Sequence, residues 1–255
     1  MDVGLTGSRA LVGGASRGLG RGIAEALVAE GARVALAARP SGDLASAAAD
    51  LGQPAIEVDL SAADGPERAV QGAVEALGGL DLLVINTGGP PLGTFDELSD
   101  AQWVSAIEGT FLSAVRLVRA ALPHLQRGRS PAIAIVLSSS VREPIAGLDT
   151  SNALRPGLVG LLKSLAAEIA PIRINGVAPG RIATDRVAGN DRARAARESM
   201  TLDEVRRRSI ERIPLGRYGA AEEVGRVVAF LLSPAASYVH GAVIPVDGGM
   251  VRSLP

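Results

Sequence analysis

The sequence predicts a single, doubly wound α/β domain in which a mostly parallel sheet of about seven strands has helices on both faces. Three observations support this prediction. The chain has 255 residues, a length that suits one large α/β domain. Short apolar segments alternate with longer amphipathic segments along its whole length. The apolar segments are rich in Val, Ile, Leu and Ala, as expected of parallel strands that are covered on both faces.

Apolar runs and helical periodicity locate the elements in order. The predicted strands are residues 10–13, 33–37, 55–59, 80–86, 132–138, 172–177 and 242–246. The predicted helices lie near residues 18–30, 43–51, 66–77, 101–126, 152–169 and 220–232. Because crossovers between parallel strands are right-handed, this order gives a Rossmann arrangement. No change of composition marks a second domain, so we expect residues 1–255 to form one unit.

One segment departs from this alternation. Residues 181–213 lie between the sixth predicted strand and the last helix, and they hold nine arginines and six acidic residues. A connection of this length is often a functional lid, so we predict a substrate lid inserted within the domain. The alternative is a solvated pair of helices.

Composition excludes several classes of function. The net charge of −1 provides no basic surface for nucleic acid, and the absence of cysteine excludes disulfides, thiolate metal sites and a cysteine nucleophile. Two histidines leave little for a histidine metal site. No apolar run reaches the ~18 residues of a membrane span, and the N-terminus lacks the features of a signal peptide. We therefore predict a cytoplasmic protein without a metal, a nucleic-acid partner or a membrane partner.

A glycine-rich turn follows the first predicted strand and leads into a helix. Its glycines have the spacing GxxxGxG, which lets the chain turn tightly and lets a pyrophosphate approach the backbone. The following helix start offers unpaired N–H groups to an anion. The predicted cofactor contacts in this turn are Gly14, Ser16, Arg17, Gly18, Leu19 and Gly20. A plain tight turn between strand and helix is the alternative.

The end of the second predicted strand indicates which dinucleotide binds. An NAD site normally has an acidic residue there for the ribose 2′-hydroxyl, whereas this chain has Arg39. Arg39 and Arg17 suit a 2′-phosphate, because guanidinium groups pair well with phosphate oxygens. The sequence therefore favours NADP(H) over NAD(H). The alternative is that Arg39 is a surface residue before Pro40.

These features resemble the short-chain dehydrogenase/reductase family in its classical form, nearest to its β-ketoacyl-ACP-reductase-like branch. The glycine-rich turn is similar to the family's TGxxxGxG loop. Four further segments match in order, at residues 58–60 (Val-Asp-Leu), 86–89 (Asn-Thr-Gly-Gly), 179–184 (Pro-Gly-Arg-Ile-Ala-Thr) and 246–249 (Val-Asp-Gly-Gly). The resemblance covers nearly the whole chain. It implies further cofactor contacts from Asp59, Leu60, Asn86, Gly88, Arg155, Pro179, Gly180, Ile182 and Thr184.

The same resemblance reveals a departure at the reaction centre. In the family that this chain resembles, the proton relay is formed by an Asn, a Ser, a Tyr and a Lys, and the Tyr and Lys lie four residues apart on one helix face. Here Ser151 stands in the position of the Tyr and Arg155 in that of the Lys. The Asn aligns with Thr110, and the Ser with Ser138, which precedes Ser151 by 13 residues. Ser139 and Ser140 are adjacent alternatives to Ser138.

Neither tyrosine of the chain restores the missing pair. The residue four positions after Tyr218 is Glu222, and the residue four positions after Tyr238 is Ala242. A serine hydroxyl is far less acidic than a phenol, whose pKa is about 10. An arginine releases no proton at usable pH, although Arg155 can still donate hydrogen bonds to a ribose or to a substrate anion.

Three hypotheses follow. The first is an NADP(H)-dependent oxidoreductase with a rebuilt proton relay, formed by Ser138–Ser140, Ser151, water and Arg155. The second is a catalytically impaired cofactor-binding protein that acts as a sensor or partner subunit. The third is a non-redox enzyme, such as a lyase or isomerase, on the same scaffold.

The sequence also indicates partners. The arginines of 181–213, together with Arg155, point to a small-molecule or acyl substrate that is anionic. The predicted helices 101–126 and 152–169 are apolar around much of their circumference, which is typical of helices buried on more than one side. These apolar residues are Leu117, Val118, Leu122, Leu158, Leu161, Leu162 and Leu165. The resemblance implies a homo-oligomer, a tetramer, that pairs these helices, and the alternative is that they face the chain's own sheet.

Overall fold

The computed structural model describes residues 3–253, and its sheet confirms the predicted fold class. The strands are β1 (Arg9–Gly13), β2 (Arg33–Ala38), β3 (Ala55–Glu57), β4 (Leu82–Ile85), β5 (Ala132–Val136), β6 (Arg173–Pro179) and β7 (Val243–Val246). They form one seven-stranded sheet in the order β3-β2-β1-β4-β5-β6-β7. All six pairings are parallel. The carboxyl ends of the strands therefore lie at one edge of the sheet, and the strand order reverses between β1 and β4.

The helices agree with the predicted pattern and add detail. Within residues 3–253 they are α1 (Gly18–Ala29), α2 (Gly42–Leu51), α3 (Gly65–Leu77), α4 (Asp100–Ala106), α5 (Ser113–Leu125), α6 (Asp149–Glu168), α7 (Asp185–Arg197), α8 (Leu202–Glu211) and α9 (Ala221–Leu232). The predicted long helix 101–126 is interrupted by a π-helical turn, Ile107–Leu112. The segment 181–213 contains the helix pair α7 and α8. In this part of the chain, none of the helices is long and apolar enough to cross a membrane.

Two apolar cores lie on opposite faces of the sheet. Successive residues of a strand alternate between them: Val12 belongs to the core beside α1 and α9, whereas Leu11 belongs to the core beside α3, α5 and α6. The second core also takes up the apolar helix residues from which the sequence predicted an oligomer. Leu117, Val118, Leu158 and Leu162 are buried there, and Leu122, Leu161 and Leu165 pack against them. The four buried side chains therefore face the chain's own sheet, as the alternative interpretation predicts. Leu122, Leu161 and Leu165 keep part of their surface exposed, so pairing of these helices stays a prediction.

A buried carboxylate joins the amino-terminal ends of three strands. Asp81 is fully buried and accepts hydrogen bonds from the backbone N–H and the guanidinium of Arg9, at 2.8–2.9 Å, and from the N–H of Arg129 at 2.7 Å. Burial alone would raise the pKa of Asp81, but these hydrogen bonds hold the pKa below its ordinary value. The contact links the start of β1 to the residues that enter β4 and β5.

We expect Asp81→Asn to lower the free energy of unfolding by about 3–5 kcal/mol at pH 7, because it leaves Arg9 without its carboxylate. A carboxyl group with a lowered native pKa stabilises the fold above its unfolded pKa of about 4, and this stabilisation is lost as the pH falls through the native pKa. The difference between wild type and variant should therefore shrink in acid. Urea unfolding at several pH values measures it.

The control for this prediction is Asp50→Asn. Asp50 pairs with Arg21 at 3.0 Å on the surface, so its replacement should cost less than about 1 kcal/mol. A difference between wild type and Asp81→Asn that is independent of pH would contradict the assigned role of the charge.

Candidate cofactor and active site

The turn after β1 is a cradle of close backbone contacts. Gly14 has a φ of +58°, in the left-handed region that favours glycine. A Cβ atom on Gly20 would collide with the carbonyl oxygen of Gly14 and with the side chain of Asn86. The Asn86 amide nitrogen, at the end of β4, donates to the carbonyl oxygen of Gly13 at 3.0 Å. The glycines therefore keep the loop compact, and Asn86 fixes it to the neighbouring strand.

The first turn of α1 is free to bind an anion. Its N-cap residue is Arg17, whose side chain makes no capping hydrogen bond, and no acidic residue lies in the first turn. No side chain of α1 therefore accepts a hydrogen bond from these N–H groups or offsets the positive end of the helix dipole. Ser16 and Leu19 are partly buried beside them. Together, the glycine turn and the first turn of α1 fit the diphosphate of a dinucleotide cofactor.

Arg39 and Arg17 are accessible at this end of the sheet. Arg39 is exposed just beyond β2, and within residues 3–253 it takes part in no ion pair. Arg17 makes a loose contact of 3.9 Å with Asp185, and both side chains are largely exposed. Both guanidinium groups are therefore available to a ligand.

Asp59 and Leu60, which follow β3, have different surroundings. Asp59 is exposed, and one of its carboxylate oxygens accepts hydrogen bonds from the Ser61 hydroxyl at 2.7 Å and from the Ser61 N–H at 2.9 Å. These hydrogen bonds, with a smaller contribution from the charge of Arg39, lower the pKa of Asp59. Leu60 is buried in the second core. Of these two residues, Asp59 is therefore the one that faces solvent, near Arg39.

Residues beyond β4 and β6 form the opposite side of the cleft. Gly88 is exposed, and Pro179 ends β6. The N–H of Gly180 donates to the carbonyl oxygen of Val246 at 3.0 Å. Ile182 has its side chain in the first core, so its main chain alone is left for a cofactor. Thr184 caps α7 by accepting a hydrogen bond from the N–H of Val187.

Serine hydroxyls gather where the family relay would lie. Ser140 and Ser151 are buried, and their hydroxyl oxygens are 3.2 Å apart. Ser138 is partly exposed, and its hydroxyl accepts a hydrogen bond from the N–H of Ser140 at 3.1 Å. Ser139 is buried. The hydroxyl directly against Ser151 is thus that of Ser140, whereas Ser138 has the accessible hydroxyl.

Thr110 lies in the π-helical turn between α4 and α5. Its side chain is 1% exposed, and its hydroxyl has no hydrogen-bond partner among the described residues. A buried polar atom in this state is usually satisfied by an ordered water or by a ligand. Thr110 therefore leaves an open hydrogen-bonding position next to α6, but no contact joins it directly to the serine hydroxyls.

Arg155 lies one helical turn beyond Ser151 and is tied to the end of β5. Its Nη1 donates to the carbonyl oxygens of Val136 at 2.8 Å and Leu137 at 3.0 Å. Burial, together with the charge of Arg186, lowers the pKa of Arg155 to about 10. Arg155 is therefore still protonated at neutral pH, and it supplies charge and hydrogen bonds rather than a proton.

Neither tyrosine replaces the missing phenol. The Tyr218 hydroxyl donates to Asp191 at 2.9 Å, and burial is the main cause that raises its pKa. Asp191 is itself buried and also holds Arg181, so it fixes the middle of α7 to the residues that follow β6. Tyr238 is fully exposed. The acid of an ordinary Tyr–Lys pair is thus absent from this cleft within residues 3–253.

Sequence reasoning did not single out Arg186, in the first turn of α7. Its guanidinium donates to the carbonyl oxygen of Gly89 at 3.1 Å and to that of Pro90 at 2.6 Å. It therefore reaches across the cleft from the segment after β6 to the loop after β4. One feature of the sequence could have drawn attention to Arg186: it stands two residues after the Pro-Gly-Arg-Ile-Ala-Thr segment, which is a predicted cofactor segment.

A parallel sheet with a glycine cradle at its switch point defines a dinucleotide-binding protein, and comparisons with known proteins agree. A family model described as enoyl-(acyl carrier protein) reductase matches residues 14–251. The chain is 34% identical to the 3-oxoacyl-(acyl-carrier-protein) reductase FabG of Aquifex aeolicus, over 98% of this chain and all of that one.

Two solved structures are also similar. The L-sorbose reductase of Gluconobacter frateurii, complexed with NADPH and L-sorbose, has a TM-score of 0.92 and 30% identity, and all of both chains is covered. An NADPH-bound short-chain oxidoreductase of Pseudomonas aeruginosa PAO1, described as containing an atypical catalytic center, has a TM-score of 0.85 and 32% identity. That match covers 96% of this chain and 97% of the other. The chain belongs to the short-chain dehydrogenase/reductase family, in its classical form.

Proposed function

We propose that this protein is an NADP(H)-dependent oxidoreductase that acts on a carbonyl or alcohol group and has a proton relay without tyrosine. The observation that carries the proposal is the complete cofactor cradle, formed by the glycine turn, Asn86 and the open first turn of α1. At the other end of the same cleft, the serine hydroxyls and Arg155 lie where the reacting group would bind. The reductases similar to this chain support the assignment.

NADP(H) is the proposed cofactor because Arg39 is exposed and unpaired within residues 3–253. Arg17 is held only by a loose, solvent-exposed contact, so it can turn toward a 2′-phosphate. A carboxylate that would accept hydrogen bonds from a 2′-hydroxyl is missing at the position of Arg39. The L-sorbose reductase and the Pseudomonas oxidoreductase, both bound to NADPH, are consistent with this choice.

We expect wild type to bind NADPH more tightly than NADH, and Arg39→Ala to weaken NADPH binding by about 10- to 100-fold while NADH binding stays the same. This range corresponds to the loss of a charge-assisted hydrogen bond. Calorimetry measures both affinities. Arg119→Ala, which removes an exposed arginine of α5, is the control and should change neither affinity. Equal affinities of wild type for the two cofactors, or a loss confined to NADH, would contradict the assignment.

The nicotinamide of the bound cofactor would supply or accept the hydride. Ser138, whose hydroxyl is accessible, is proposed to donate a hydrogen bond to the substrate oxygen. Ser140 and Ser151 extend this hydroxyl chain into the protein, and Arg155 holds the end of β5 in place. Because none of these groups is a good acid, the proton would come from water by way of the hydroxyls. Loss of a positioned acid typically lowers the rate by about 10²–10⁴-fold.

We expect low or absent turnover of ordinary aldehydes and ketones, with cofactor binding retained. The double change Ser151→Tyr with Arg155→Lys should raise carbonyl reduction by about 10²-fold, because it supplies a phenol and the cation that lowers its pKa. The matched control is Ser151→Phe with Arg155→Lys, which has the ring without the hydroxyl and should show no gain. NADPH oxidation followed by absorbance measures the rates.

Wild-type turnover of a simple ketone at tens per second, an ordinary enzyme rate, would contradict this prediction. A second candidate function, a cofactor-binding protein without turnover, is favoured by the serine at position 151, where a phenol would be needed. It predicts a change in NADPH fluorescence on binding and no oxidation with any carbonyl compound.

The segment 181–213 is proposed to act as the substrate lid of the single domain. Arg186, in its first helix, reaches the loop after β4 across the reaction end of the cleft. The middle of that helix is anchored through Asp191. A cytoplasmic location remains a prediction from the sequence.

We also propose a homo-oligomer, a tetramer. Because four of the seven apolar residues predicted to pair in α5 and α6 are buried in the chain's own core, the proposal also draws on other side chains. Phe95, Val104 and Ile107, in and beside α4, are exposed by 75%, 60% and 37%. Exposed large apolar side chains are typical of interaction surfaces when they form a patch, and Val104 and Ile107 are three residues apart in the chain. A second copy of the chain is the proposed partner.

Light scattering at micromolar concentration should give four times the 25.9 kDa subunit mass. Val104→Glu should lower this mass, because it introduces a charge into the apolar surface. Leu215→Glu, at another exposed apolar side chain, is the control and should leave the mass unchanged. A wild-type mass of one subunit would refute the oligomer, and an unchanged mass for Val104→Glu would refute the assigned surface.

A further inference from the structure

Two arginines approach the reaction end of the cleft without a carboxylate partner. Arg155 comes from α6, and Arg186 from the first turn of α7. Within residues 3–253 neither takes part in an ion pair, and Asp185, the acidic neighbour of Arg186, is directed to Arg17 instead. Arg155 donates to backbone carbonyl oxygens at the end of β5, and Arg186 to those of the loop that follows the adjacent strand β4.

Among the arginines of 181–213, Arg186 is distinguished by its hydrogen bonds to backbone carbonyl oxygens. Four of the nine arginines in 181–213 are ion-paired: Arg181, Arg194, Arg207 and Arg208. Arg186 is one of the five that are not ion-paired within the described part of the chain, and its guanidinium donates to the loop after β4 at the cleft.

Arg173 shows what a purely structural arginine looks like here. Both of its terminal nitrogens are used, in four hydrogen bonds to carbonyl oxygens at and beyond the end of α9. Arg155, by contrast, uses Nη1 alone among the described contacts. Its remaining N–H groups can bind a ligand in a planar, two-pronged arrangement. Arg155 therefore has N–H groups available for a ligand in addition to those that hold the end of β5.

Two like charges at the edge of a partly buried cleft repel each other, and burial adds a desolvation cost. Consistent with this, burial and the charge of Arg186 both lower the pKa of Arg155. An anion placed between the two guanidinium groups would remove the repulsion and satisfy their free N–H groups. Arg186 is exposed, so such an anion has access from solvent.

We propose that Arg155 and Arg186 bind a carboxylate of the substrate, and that the substrate is a small keto acid or its hydroxy acid counterpart. This inference rests on the proposed function, because it names the substrate class of the same site. Arg155 is one helical turn from Ser151, so the bound carboxylate lies within a few bonds of the reacting carbonyl. In a thioester of an acyl carrier, the phosphate is many bonds away from that carbonyl, which makes it the poorer fit.

The test uses matched probes that differ in charge. Acetoacetate and pyruvate are titrated against the NADPH-loaded protein, each beside its neutral methyl ester, and binding is followed by NADPH fluorescence and by calorimetry. We expect each acid to bind at least tenfold more tightly than its ester. Arg186→Met should abolish this preference, whereas Arg192→Met, which removes an exposed arginine of the same helix, should preserve it. The affinity for NADPH should stay the same in both variants.

Equal affinities of wild type for acid and ester would overturn the proposal. Loss of NADPH affinity in Arg186→Met as large as the loss of acid affinity would also overturn it, because the arginine would then neutralise a cofactor phosphate. Oxidation of NADPH is measured separately. Preferred binding of the acids without any oxidation would support the carboxylate site and contradict the proposed oxidoreductase.

Discussion

The hydrogen bond from the Asn86 side chain to the carbonyl oxygen of Gly13 connects the two strands on which the site depends. β1 and β4 are neighbours in the sheet although a long stretch of chain separates them, and the strand order reverses between them. The bond fixes the start of the glycine turn against the end of β4. The glycine turn leads directly into α1, so this contact also helps to place the open first turn of that helix. A bound dinucleotide would have its diphosphate near this point, and its two nucleosides would extend to either side along the edge of the sheet.

The two ends of the cleft obey different physical demands. At the adenine end, recognition needs flexible glycine backbone, free N–H groups and an accessible cation, and all three are present around Gly14, α1 and Arg39. At the end where the nicotinamide is proposed to lie, carbonyl reduction would need a proton donor of suitable acidity. There the chain has neutral hydroxyls and two guanidinium groups, which favour charge recognition over acid–base chemistry. The groups of the first end follow β1 and β2, whereas those of the second follow β5 or lie on α6 and α7.

Much of the fold was predictable because parallel strands buried on both faces are uniformly apolar; β5, for example, lies within the predicted segment 132–138. The π-helical turn at Ile107–Leu112 was not, because it alters hydrogen bonding without altering apolar spacing. The inward orientation of Leu117 and Leu162 depends on packing that periodicity alone does not reveal. The contact of Arg186 with Pro90 joins residues 96 positions apart, and no local pattern carries that information. Motifs therefore predicted cofactor residues that remain to be tested, whereas the contacts of Arg186 became visible only in the fold.

The buried carboxylate of Asp191 has a consequence for how a ligand enters. It pins α7 at mid-length to Arg181 and Tyr218, so lifting the helix as a rigid rod would break a buried ion pair, at a cost of about 3–5 kcal/mol. Rotating the exposed side chain of Arg186 costs far less, because its two bonds are to backbone oxygens at the cleft mouth. In the proposed site, a turn of this one side chain would open the way for a ligand, and the same guanidinium would then be the first group to hold it.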